Sequence, residues 1–219
     1  MPLTNYLASC SPVELNYQLD EQALQRIDLL KNAFQRLSTC HRVWNVGTVG
    51  STHDWKRNAG ASSLVGRTAA RVGFGTPRSF RANVDVAHLV AGRDTLYFLP
   101  DLILVNQSGA FGSISYESLE AAWSSTRFIE NESVPSDSQV VGTTWRYVNK
   151  SGGPDRRFKD NRQLPVVVYG EIGLASPTGL RVALMTSTVD AAKILSDAIH
   201  QVQSIIVTPM LYLSGGLDG

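Results

Sequence analysis

Cysteine is scarce in this sequence: Cys10 and Cys40 are the only two among 219 residues. No CxxC pair and no Cys/His cluster occurs, which argues against a structural zinc site. Two thiols so far apart fit free cysteines in a reducing compartment, with a single bridge left open. Long apolar runs are missing as well, none approaching the ~20 residues that a membrane-spanning helix needs. The N-terminus lacks the charged-then-apolar pattern of a secretory leader. Cytoplasmic residence is the expectation that follows. Net charge is small too, +1 at neutral pH, which argues against a whole-molecule field of the kind that draws nucleic acid or a membrane surface.

Catalytic signatures are equally sparse. There is no Gly-x-Ser-x-Gly elbow, and Gly73-Phe-Gly75 lacks the remainder of a dinucleotide fingerprint. His41, His53, His88 and His200 are dispersed, and neither cysteine has the setting of a nucleophile. Pro100-Asp101 and Pro154-Asp155 invite a metal-nuclease reading. That chemistry needs a second acid and a lysine one residue apart, but Glu171 is followed by Ile172 and Gly173. No convergent carboxylates for magnesium stand out. The sequence therefore nominates no catalytic residue, no metal ligand and no cofactor, and a non-enzymatic protein is expected.

What is present is a globular composition, 43% hydrophobic, enough for one large domain or a domain with an accessory piece. Asp20 is placed to cap a helix whose apolar stripe runs Ala23, Ile27, Leu30, Phe34 and Leu37, with Gln25, Arg26, Lys31 and Gln35 outside it. The stripe serves either the domain's own sheet or a second copy of the chain. A strand is expected over 42–49, with Trp44, Val46 and Thr48 on one face and Val43 on the other. Residues 50–76 read as a long loop with a short helix towards Arg67. Alternation over 80–89 predicts a strand. Thr95 to Val105 reads as one buried strand with Pro100 at a bulge or edge. Asn106-Gln-Ser-Gly109 is a tight turn. A helical turn is expected over 117–125 and a short extended piece over 127–130. Strands are expected over 140–148, 166–174 and 180–186. Ser187-Thr-Val-Asp190 matches a capping box ahead of a second stripe, Ala192, Leu195, Ile199, Val202 and Ile206.

Charge is sorted along the chain. From Lys56 to Arg81 six bases occur with no acid, whereas from Tyr116 to Asp137 the acids Glu117, Glu120, Glu130, Glu132 and Asp137 face Arg127 alone. The most distinctive surface runs from Thr143 to Glu171. Between Arg146 and Arg162 within it lie six of the chain's twenty basic residues, Arg146, Lys150, Arg156, Arg157, Lys159 and Arg162, against Asp155 and Asp160. Arginine forks suit phosphates and carboxylates, and Gly152-Gly153 lets backbone amides approach a ligand. Tyr147 and Phe158 are placed to stack on a base or a peptide ring. Trp55, Lys56 and Arg57 form a second candidate loop. The competing reading is a clasp, in which Arg156 and Arg157 are spent on Glu130, Glu132 or Asp137.

Many short antiparallel strands closed by a C-terminal amphipathic helix make an α+β layout. The piece from Leu96 to Leu119, Leu-Tyr-Phe-Leu-Pro-Asp-Leu-Ile-Leu-Val-Asn-Gln-Ser-Gly-Ala-Phe-Gly-Ser-Ile-Ser-Tyr-Glu-Ser-Leu, resembles the hairpin of bacterial PH-like and GRAM-like domains. Trp145 to Glu171 also resembles a segment that recurs in uncharacterised bacterial multidomain proteins, with no activity to transfer. The resemblance covers roughly 80–206 and implies a strongly bent antiparallel sheet; the Gly-Gly-Pro loop is an insertion that departs from the family plan. The sheet is here assigned to a domain over 42–208, with long loops at 50–76 and 149–163. An N-terminal helical segment, 1–41, packs on it, and 209–219 is a flexible tail. It implies a binding or assembly module rather than an enzyme. The expected partner is a protein or an anionic ligand, phosphate-bearing or an acidic peptide. Nucleic-acid binding or processing and homo-oligomerisation are the alternatives.

Overall fold

The computed structural model describes residues 11–51, 63–205 and 211–213, with the backbone alone at 48–51, 63–65 and 211–213. The chain is α+β, with two helices and three sheets. Strand β1 (Val13–Tyr17) leads into helix α1 (Glu21–Ser38). The Asp20 carboxylate accepts from the Ala23 amide at 2.7 Å, satisfying one of the free donors of the first turn. Strands β2 (Val43–Ser51), β3 (Ser63–Ala69), β4 (Arg71–Phe74), β5 (Phe80–Ala82), β6 (Ala87–Ala91), β7 (Asp94–Phe98), β8 (Leu102–Gln107) and β9 (Ala110–Ser115) follow. After a 3-10 turn at Tyr116–Ser118 come β10 (Glu120–Ile129), β11 (Gln139–Trp145), β12 (Gln163–Ala175), β13 (Arg181–Thr186), helix α2 (Val189–Ser204) and β14 (Leu211–Leu213). No helix among the described residues is long and apolar enough to cross a membrane.

The single bent sheet expected from the sequence is divided. One sheet has the order β10-β12-β13-β2-β3, with β11 also on β12; a second has the order β4-β6-β7-β8-β9; a small third has β14-β1-β5. Pairing is antiparallel except for β1 with β5, which is parallel. The helices lie between the larger sheets: α2 packs on β10, β12 and β13, while α1 packs on α2, β4 and β6. One apolar core joins Leu30, Phe34 and Leu37 of α1 with Leu195, Ile199 and Val202 of α2, Ile172 and Leu174 of β12, and Leu89 and Leu96 of the second sheet. The α1 stripe is thus consumed inside the chain, where burial of each large side chain contributes roughly 1.5–3 kcal/mol.

Several local expectations give way to tertiary context. Thr95 to Val105 is a hairpin, because the Leu99 amide bonds the Leu102 carbonyl at 2.9 Å and Pro100 sits in the turn. There its missing N–H breaks no ladder. The stretch 63–69 is a strand, not a short helix. Residues 80–89 are interrupted between β5 and β6. The helical turn expected over 117–125 shrinks to three residues, after which β10 runs for ten. Ser187 does not cap α2: its hydroxyl donates to Asp137 at 2.8 Å, and Thr188 stands at the cap without a side-chain capping bond. Arg26 is buried on the core side of α1, donating to the Pro100 carbonyl at 3.1 Å and to the Ile205 carbonyl. At Ser108-Gly109 both residues have positive φ, 52° and 96°, the geometry of the two-residue turn that joins β8 to β9. Within the tail expected to be flexible, Leu211–Leu213 pairs with β1.

Candidate functional site

Beyond the last ladder pair of β11 and β12, Trp145 with Gln163, the two chains continue into a closed excursion. The Arg146 amide donates to the Arg162 carbonyl at 2.9 Å. Asn161 then replaces the next rung: its side chain accepts from the Tyr147 amide at 2.9 Å and donates to the Tyr147 carbonyl at 2.8 Å. At the tip, Asn149 accepts from the Ser151 amide at 3.0 Å, the Ser151 hydroxyl at 2.8 Å and the Gly153 amide at 2.9 Å. Val148 and Pro154 form a bridge behind it. Asparagine serves here because one short amide can satisfy the backbone groups that a turning strand leaves open. The loop is consequently built like a turn at every step, not hung between two strands.

Its cations divide into two sets. Arg157 is held by Asp155, with Nε to Oδ1 at 2.9 Å and a second contact at 2.5 Å. Arg162 reaches the Asn131 carbonyl at 3.3 Å, and Arg146 lies 3.9 Å from Asp160 and 5.3 Å from the centre of the Tyr147 ring. Lys150, Arg156 and Lys159 are exposed and form no ion pair with any described residue. Tyr147 and Phe158 stack on each other, centroids 4.1 Å apart at 15°, so the rings expected to meet a ligand are already partnered. Trp55, Lys56 and Arg57 lie outside the described residues.

Among the described residues, no acid of the 116–137 stretch pairs with a cation of this loop. Glu130, fully buried at the end of β10, receives both ends of the Arg67 guanidinium on β3, at 2.8 and 2.9 Å. The Tyr169 hydroxyl donates to the same carboxylate at 2.8 Å and the Glu132 amide at 3.0 Å. Arg67 is sandwiched between the Trp44 and Phe128 rings, its central carbon 4.6 and 4.3 Å from their centres. Burial alone would push the Glu130 carboxyl up, but the arginine fork, the amide and the tyrosine more than offset it and the group sits below its ordinary value. Tyr169 is raised by burial and by that carboxylate. Glu132 lies 3.5 Å from Arg42, whose guanidinium also donates to Ser133 at 2.7 Å. Asp137 accepts from the His41 amide and the Ser187 hydroxyl, each at 2.8 Å. His41 Nδ1 accepts from the Ser136 amide at 2.9 Å, which leaves Nε2 to carry the proton of the neutral ring.

These contacts sew residues 130–138 to β2, β3 and the β13–α2 junction, beside a cleft of about 390 Å3 lined by His41, Arg42, Trp44, Arg67 and Glu132 among others. A carboxylate locked to an arginine fork cannot serve as a proton carrier near neutrality, so the cluster is chemically a clasp. Four hydrogen bonds converge on its central carboxylate, and a reading of 50–76 as a loop does not anticipate it. One signal was available: on β2 and β3, Trp44 and Arg67 occupy the same face in an alternating pattern. Among the described residues, no group of three His, Cys, Asp or Glu is placed to hold a metal ion. No family model matches the chain, and no curated protein or solved structure matches it.

Proposed function

We propose that the chain is a non-enzymatic binding or assembly module that takes an anionic ligand or an acidic protein segment at the 146–162 excursion. The observation that carries this is the trio Lys150, Arg156 and Lys159, exposed and without an ion pair to any described residue, on a loop whose backbone is fixed by Asn149 and Asn161. Six bases against two acids leave a formal +4 on seventeen residues. Glu130, Glu132 and Asp137, the acids best placed in sequence to neutralise it, are engaged elsewhere. A fixed loop loses little conformational entropy on binding, so its charges act on a ligand at lower cost. On this reading the architecture follows a PH-like plan, supported by helix α2 lying across β10, β12 and β13.

The test is an anisotropy titration of a labelled oligoglutamate peptide and, in parallel, a labelled single-stranded oligonucleotide. Each is compared between the natural chain and a variant with Lys150→Ala, Arg156→Ala and Lys159→Ala. Exposed charge pairs contribute about 0.2–1 kcal/mol each, so peptide binding weakens by roughly three- to a hundredfold while the melting temperature stays put. Tighter binding of the oligonucleotide, lost in the same variant, would make the ligand a nucleic acid. Equal binding by variant and natural chain would remove the loop from consideration.

A further inference from the structure

Strand β10 ends one edge of the main sheet, paired along its whole length with β12 in an unbroken ladder from Glu120–Ala175 to Ile129–Val166. Its backbone directions follow from two neighbours. The Glu130 amide donates to the Pro165 carbonyl, so hydrogen-bonded pairs recur at Phe128–Val167, Thr126–Tyr169 and Ser124–Glu171. The backbone groups of Trp123, Ser125 and Arg127 therefore point away from the sheet. The Ala121 carbonyl, next in that series, accepts from the Ser196 hydroxyl of α2 at 3.1 Å, in agreement with this. No described residue takes the outward groups of Trp123, Ser125 or Arg127.

Sheet edges are ordinarily guarded by bulges, prolines, lysines or short length. Here β11 carries a bulge between Val140 and Gly142, and the edge strands β4 and β14 are four and three residues long. Strand β10 has ten residues without proline, lysine or bulge. Two side chains on its outward series stand at the surface. Trp123 is 38% exposed, and Arg127 is exposed with no ion pair to a described residue. Both lie on the α2 face, as their cross-strand partners Ile172 and Val168 fix.

We infer that the free edge of β10 docks a second copy of this chain, extending the sheet antiparallel across a two-fold axis at Ser125. The occupant follows from self-complementarity. An axis at Ser125 sets Trp123 of one copy opposite Arg127 of the other, twice, and Ser124 opposite Thr126. A cation over an indole face is a favourable pair, and an isologous interface makes it in duplicate. The α1 stripe, which the sequence offered for self-association, is buried in the core and leaves this edge for the task.

Sedimentation velocity of the full chain over a concentration series reads the outcome, with a dimer expected. Ser125→Pro removes one outward amide and no rung of the internal ladder, so it should shift the species to monomer with the far-ultraviolet circular dichroism unchanged. Trp123→Lys sets lysine against arginine across the axis and should also give monomer. Trp123→Lys combined with Arg127→Glu restores opposite charges and should return the dimer, which decides the register even where the proline variant fails to fold. A natural chain that stays monomeric, or a dimer untouched by Trp123→Lys, overturns the inference.

Discussion

Replacing Glu130 by glutamine keeps the shape of the side chain and removes its charge, leaving the Arg67 guanidinium nearly buried between two rings with only the exposed Glu132 carboxylate, 3.7 Å away, as counter-ion. The carboxylate has no exposed surface and the arginine side chain retains 8%, so water cannot take over. Removing one partner of a buried ion pair costs about 3–5 kcal/mol, against a total stability of about 5–15 kcal/mol for a domain. With about 2–4 °C of melting temperature per kcal/mol at this chain length, the transition should fall by roughly 6–20 °C. Thermal melting and denaturant unfolding measure it directly. Glu132→Gln is the comparison: that carboxylate is 60% exposed and pairs with Arg42 and Arg67 at 3.5 and 3.7 Å, and its loss should cost no more than about 1 kcal/mol. A second variant, Arg67→Met with Glu130→Leu, removes both charges but leaves the buried Tyr169 hydroxyl and the Glu132 amide without their acceptor, so it should recover only part of the loss. If Glu130→Gln melts within a degree or two of the natural chain, the clasp does not hold residues 130–138 in place and the energetic argument fails.

Acid unfolding should report the same carboxylate. A group whose value is depressed in the folded state adds stability above its unfolded value, about 4.3 for glutamate, and loses it as pH falls through the lower folded value. Glu130→Gln should therefore flatten the acid limb of a stability–pH curve, and an unchanged limb would count against the pairing. Gly170→Ala should destabilise by about 1–3 kcal/mol, because a Cβ there would meet Thr186 Oγ1 at 2.6 Å, Ala192 Cβ at 2.9 Å and the Thr188 carbonyl at 3.0 Å. Denaturant unfolding checks it. Asn149→Ala strips three donors of their common acceptor and should raise amide exchange over residues 149–153 while leaving β12 protected, as mass-resolved hydrogen exchange would show.

Both helices were legible because the signal that forms them is local. Asp20 lies three residues before the amide it caps, and the stripes of α1 and α2 repeat at the helical period wherever the partner surface turns out to be. The turn at Asn106–Gly109 was legible for the same reason, since its Asn side chain and positive-φ glycine act within four residues. The tip of the candidate loop was half legible: its cations and glycines were plain, but the roles of Asn149 and Asn161 as substitutes for ladder rungs were not.

Periodicity reports which face of an element is apolar, and it carries no information about what lies opposite. Arg26 was placed on the outer face of α1 by its charge, yet the fold brings two carbonyls, of Pro100 and Ile205, to meet it. The sequence by itself settled that this chain makes two amphipathic helices around a strand-rich middle, and that one loop concentrates positive charge. Only the tertiary structure decided which charges are free. Arg67 and Glu130 are 63 residues apart, and their pairing exists because β3 and the end of β10 converge over Trp44, Phe128 and Tyr169. That convergence withdraws the acids from the basic loop and leaves Lys150, Arg156 and Lys159 to solvent.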